Sequence, residues 1–273
     1  MPSRPSLARP WWEPCRFEIG EVRRWRIGPI TVHAERHARE WRVWHQGGDD
    51  PLDDTLEVAA PESRNEASTR GEATAMRYAF AQAPPRVALE PRLADRPMIV
   101  RPAEGVVVAA NESTQLYVST PLWASVTTLD PRHALREMPC YRPSDTWFGP
   151  DTVDGELCYA SRTTGRTDLE ALPMRPHRAV TPIRIEESAG VPLPVERLKV
   201  PVDLLPLYAT DRGLWTPRVT LVRGASGDVA DVRIDKEPPR MAGNARRIAE
   251  PRRRSEGLLT LRTFSQLLAW RSS

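Results

Sequence analysis

Apolar and polar residues alternate with a period of two over short stretches of this chain, and proline or glycine closes nearly every stretch. The segment ITVHAERHAREWRVWH, residues 30–45, shows the pattern best. A turn at residues 37–38 sets Ala34 opposite Trp41 and Val32 opposite Val43. One face of the hairpin then carries Ile30, Val32, Ala34, Trp41 and Val43. The other carries Thr31, His33, Glu35, Glu40, Arg42 and Trp44, facing outward. Residues 17–19 and 22–27 extend the pair into a meander. The polar stretch 47–75 reads as a surface loop with a short strand at 56–58. Strands are expected again at 76–80, 98–100, 105–109, 116–119 and 123–127, with a turn at Asn111, Glu112 and Ser113.

A second block of alternation begins near Ala179. In TPIRIEE, Thr181, Ile183 and Ile185 share one face, while Arg184 and Glu186 share the other. In PLPVERLKVPV the apolar parity switches between Val195 and Leu198, as a β-bulge at Glu196 and Arg197 would produce. Val219 and Leu221, then Ala230, Val232 and Ile234, form a hairpin around GASG. The tail differs: Leu258, Leu261, Phe264 and Leu268 recur at helical spacing with no proline among them, which predicts a C-terminal amphipathic helix over 257–271. The chain holds 28 prolines, about twice the usual frequency, and proline inside a helix costs about 3 kcal/mol or more. Long helices are therefore excluded before the tail. The fold class expected is mainly β: two antiparallel β-sandwich-like lobes, an irregular crossover segment and that helix. The division expected is an N-terminal lobe over 15–128 and a connecting segment over 129–177. A second lobe over 178–235, a linker over 236–256 and the helix follow.

Composition narrows the function classes. Hydrophobic residues form 40% of 273, enough for a real core, and no apolar run is long enough for a bilayer-spanning helix. The N-terminal stretch lacks a hydrophobic signal segment, so a cytoplasmic protein is expected. Three cysteines are too few for a secreted disulfide framework and read as reduced thiols. Only Lys199 and Lys236 of the 39 basic side chains are lysines. The arginines are scattered among acids, which points away from a nucleic-acid surface. The local cluster Arg246, Arg247, Arg252, Arg253 and Arg254 reads as a solvated linker.

Phosphate-binding glycine loops, nucleophile elbows, HExxH helices and zinc-ribbon spacings are all missing from the sequence. His33, His37 and His45 do not converge in the hairpin register above. Reactive residue types crowd together only in 139–180, PCYRPSDTWFGPDTVDGELCYASRTTGRTDLEALPMRPHRAV. Arg142, Asp145, Trp147, Tyr159, Arg162 and His177 are the candidate ligand-binding residues there, because aromatic faces, arginine forks and carboxylates bind sugars, anions or peptides. The competing reading is a structural crossover anchored by a buried Trp147. The strings RPSDTWFGP, GELCYASRT and RPHRAVTPIRI resemble a prokaryotic family of unknown function composed of cytoplasmic β proteins. The resemblance implies no activity and no functional residues. The reading reached is a non-enzymatic β-sandwich protein that binds another protein or itself through the helix residues Leu261, Phe264 and Leu268. The alternative is a small-ligand or carbohydrate-binding or hydrolytic protein with a cleft lined by 139–178. No catalytic residue, metal, cofactor, nucleic acid or membrane span is indicated by either.

Overall fold

The computed structural model describes residues 10–62, 75–149, 153–223, 229–254 and 259–263. They form a mainly β protein, and among them no helix is long and apolar enough to cross a membrane. The chain divides into two compact units, each assembled from separated stretches. One holds residues 1–92, 122–142 and 175–177, and the other holds 93–121, 143–174 and 178–273. The sequence predicts two contiguous lobes, whereas here the chain passes repeatedly from one unit to the other.

The first unit contains two antiparallel sheets. One is ordered Leu56–Glu62, Val22–Ile27, Ile30–Arg36, Glu40–Gly47, Met76–Ala79. Its apolar face buries Ile30, Val32, Ala34, Trp41 and Val43 completely or nearly so, as the alternation predicts, together with Trp25 and Ile27. The register differs by two residues: Ala34 faces Val43, and Glu35 faces Arg42. The turn sits one residue later, closed by the His37 N–H to the Glu40 carbonyl at 2.8 Å. A slip of two preserves which side chains share a face, so alternation alone cannot detect it. The second sheet is ordered Cys15–Arg16, Arg86–Arg92, Trp123–Leu129, His133–Pro139. Pro84 and Pro85 just before Arg86–Arg92 and Pro91 within it mask that strand in the sequence.

The expected outward position of His33 is overturned. Its ring stacks on Trp44, with centroids 5.0 Å apart. His33 Nδ1 donates to Glu62 Oε2 at 2.7 Å. Only 6% of His33 is exposed. The polar face is buried because carboxylates, arginines and a tryptophan satisfy and cover one another there.

The second unit is built on the strand Arg178–Glu187. Along one flank it pairs antiparallel with the whole of Ser113–Pro121. Along the other it pairs in parallel first with Gly213–Trp215 and then with Val219–Arg223. Pro182, which has no N–H to give, falls where that partner changes. The complete eight-stranded sheet runs from Ala245–Ala249 at one edge to Leu259–Arg262 at the other. Smaller sheets join Leu193–Val195 with Val106–Val108, and Ser144–Phe148, Glu156–Ala160, Met98–Val100 and Leu198–Val200 in that order. The Met98–Val100 and Glu156–Ala160 pairing is also parallel, so the expected all-antiparallel architecture is corrected to a mixed one. The parity switch at Glu196 and Arg197 is real but is no bulge, because there the chain leaves one sheet and enters another.

Three further expectations are corrected. The supposed linker 236–256 contains the strand Ala245–Ala249. The supposedly irregular connection contains His133–Pro139, Ser144–Phe148 and Glu156–Ala160. The predicted C-terminal helix is absent where the tail is described: Leu259–Arg262 is a strand paired antiparallel with Val229–Ile234, Leu261 opposite Ala230. Leu259 and Leu261 are also two apart, so this short run satisfies either period, and an available sheet edge decides for the strand. Phe264 and Leu268 lie outside the described residues.

Candidate functional site

The six candidate residues fall in both units. Arg142 and His177 belong to the first, and Asp145, Trp147, Tyr159 and Arg162 belong to the second. His177 is fully buried, with Nε2 3.3 Å from the Pro51 carbonyl. It packs on Gly28, whose φ is +56° and where a Cβ would stand 2.3 Å from His177 Nδ1. Its surroundings are those of a core side chain. Arg142 and Arg162 are exposed.

The structure does bring Asp145, Trp147 and Tyr159 onto one face of one hairpin. Ser144–Phe148 and Glu156–Ala160 pair antiparallel, with Asp145 opposite Tyr159 and Trp147 opposite Leu157. Arg96 Nη1 donates to Asp145 Oδ1 at 3.2 Å, and its guanidinium lies 5.3 Å from the Tyr159 ring centre. Tyr159 donates its hydroxyl to Asp95 Oδ1 at 3.0 Å. Burial, followed by that carboxylate, pushes the Tyr159 phenol up from its ordinary pKa.

The sheet's two ends differ. Met98, Val100, Leu198 and Val200, in its inner and far strands, are buried. The far edge is capped where Lys199 N–H donates to the Thr263 carbonyl at 3.0 Å. At the near edge, Ser144–Phe148 is the outer strand. Here Trp147 is 43% exposed, Leu157 44% and Val153 84%. Trp147 lies over Gly155, where an added Cβ would come within 2.6 Å of the indole nitrogen. The expectation of a buried Trp147 anchor is thereby corrected.

Phe148 is the anchor instead. It is 3% exposed and packs with Ile99 and Cys158 on the opposite face. The Arg197 guanidinium and the Lys199 ammonium lie 5.7 and 5.8 Å from its ring centre. Lys199 also pairs with Glu156. Asp203, fully buried, accepts from Arg253 Nε at 2.6 Å, and burial raises its pKa above the usual carboxylate range. Burial pushes the Cys158 thiol up to about 12, so it stays protonated at neutral pH. Cys15, Cys140 and Cys158 are all buried, and none is in a disulfide. The hairpin is thus held from behind while its front presents an apolar pair beside carboxylates. Sequence reasoning singled out Trp147 but missed Leu157 and the edge position, since neither leaves a mark in local pattern.

No curated protein and no solved structure matches this chain. Residues 11–268 match the model of the family described as Protein of unknown function (DUF432), and with nearly its whole length covered the chain belongs to that family.

Proposed function

We propose that this is a non-enzymatic β protein that binds another protein or itself, using the outer hairpin strand Ser144–Phe148 and the Trp147–Leu157 pair in place of a C-terminal helix. One observation carries the reading: a tryptophan and a leucine face each other across a hairpin at a sheet edge, both more than two-fifths exposed. Tryptophan is enriched where interfaces form, and an outer strand offers a row of backbone donors and acceptors to an added strand.

A photo-reactive phenylalanine analogue placed at 147 or 157 in the full chain tests this. The expected result in expressing cells is a discrete protein adduct from both positions. None is expected from the same analogue at Ile19, which is 64% exposed in the other unit. Equal labelling at all three positions, or none at 147 and 157, overturns the reading.

A further inference from the structure

We infer that the occupant of this edge is a second copy of the chain, docked through its own arginine-rich outer strand Ala245–Ala249; the inference rests on the reading of the hairpin as a docking edge. The two edges are opposite in charge. The hairpin's described residues, 144–149 and 153–160, contain Asp145, Asp154 and Glu156 and no basic residue, in a chain of net charge +3. Residues 245–254, ARRIAEPRRR, contain five arginines against one glutamate. Ala245–Ala249 is the outer strand of the eight-stranded sheet, and Arg246 and Arg247 are exposed on it. Both edge strands are five residues long, so their ladders match end to end.

Some of these charges are already engaged, and that decides which could cross to another molecule. Glu156 is committed to Lys199 behind the hairpin, which leaves Asp145 and Asp154 as the acids of the docking edge. Arg253 is committed to the buried Asp203, and Arg252 donates to the Leu93 carbonyl at 2.7 Å. Arg96–Asp145 and Arg247–Glu250 are surface pairs, which hold little energy and exchange readily. Arg246, Arg247 and Arg254 are therefore the cations that would face the hairpin. Arg247 already lies 6.0 Å from the Tyr208 ring centre, and a guanidinium can face Trp147 in the same way. Charge also selects the symmetry. Arginines on an edge keep it from pairing with its own copy, and the acidic hairpin repels itself likewise. Only the acidic edge of one copy and the basic edge of the next attract, so the contact is head-to-tail and does not saturate at two copies.

Sedimentation velocity of the full chain over a wide concentration range, at low and high salt, provides the test. At low salt the mass should climb past that of a dimer, and high salt should reverse it. Trp147→Lys alone, and Arg246→Glu with Arg247→Glu, should each leave single chains that melt like the parent. Leu157→Lys, on the same exposed face opposite Trp147, serves in place of Trp147→Lys should that variant not fold. An equimolar mixture of the hairpin variant and the arginine variant retains one good edge of each kind. It should form pairs and stop there. A parent that stays a single chain throughout overturns the inference, as does a mixture that behaves like its separate components. The photo-adduct at 147 separates this inference from the reading beneath it. An adduct of two chain masses supports the second copy. An adduct of another mass overturns the second copy and leaves the docking edge standing, and no adduct removes both.

Discussion

Trp147 and Phe148 are neighbours in the chain with opposite fates, because successive residues of a strand point to opposite faces. Phe148 fills space between Ile99 and Cys158, so Phe148→Ala should lower stability by about 3–5 kcal/mol. Trp147→Ala removes mostly exposed surface and should change it by about 1 kcal/mol or less. Denaturant unfolding of both variants measures the contrast, and equal losses would put the anchor on the wrong aromatic. Gly28 is a second residue whose identity is dictated locally. Its positive φ is unfavourable for any other residue, and an added methyl would meet His177 and the Asp53 carbonyl. Gly28→Ala should therefore cost at least about 1 kcal/mol. A melting temperature equal to the parent's would show that the turn adapts.

At the scale of the strand, the face of the five-stranded sheet that reads as polar encloses a histidine. Around His33 stand Glu62 from Leu56–Glu62, Arg24 from Val22–Ile27 and Trp44 from Glu40–Gly47, with Glu35 two residues along its own strand. Burial dominates and lowers the His33 pKa, and Glu62 opposes it. The unfolded chain therefore binds a proton at this site at higher pH than the folded one does. Stability present above the ordinary histidine pKa of about 6.5 should fall as pH drops from there through the lowered folded value. Replacing His33 by Gln should flatten that part of the curve, whatever it does to stability at neutral pH. Melting temperatures of both proteins between pH 7 and 5 measure this, and superimposable pH dependences would contradict it. The alternation of residues 30–45 revealed which residues share this face. It left open the two-residue register and the burial of the polar side, since those depend on the turn and on what the neighbouring strands contribute.

For the molecule as a whole, interleaving is the dominant feature. The strand Arg178–Glu187 has its longest partner in Ser113–Pro121, with paired residues from 57 (Pro121 and Arg178) to 73 (Ser113 and Glu186) positions apart in the chain. A fragment beginning at Arg178 therefore lacks the strand that flanks its centre along nine residues. Expressed alone, residues 178–273 should show no cooperative unfolding transition by circular dichroism, and a sharp transition would refute the pairing. Contiguous lobes are what sequence reading defaults to, because composition and periodicity report local structure. The return of a strand from a distant stretch leaves no local trace.

What the sequence by itself determined was the β class, the buried apolar face of the first hairpin and the crowding of aromatics and carboxylates in 139–180. Each follows from side-chain period and proline placement, which act over a few residues. Tertiary structure decided the rest. It chose strand over helix for Leu259–Arg262 by offering Val229–Ile234 as a partner, and it turned the parity switch at Glu196 into a change of sheet. It also buried Phe148 while leaving Trp147 at an open edge. Those outcomes depend on which backbone donors and which apolar surfaces lie nearby in space, and only the folded chain brings them together.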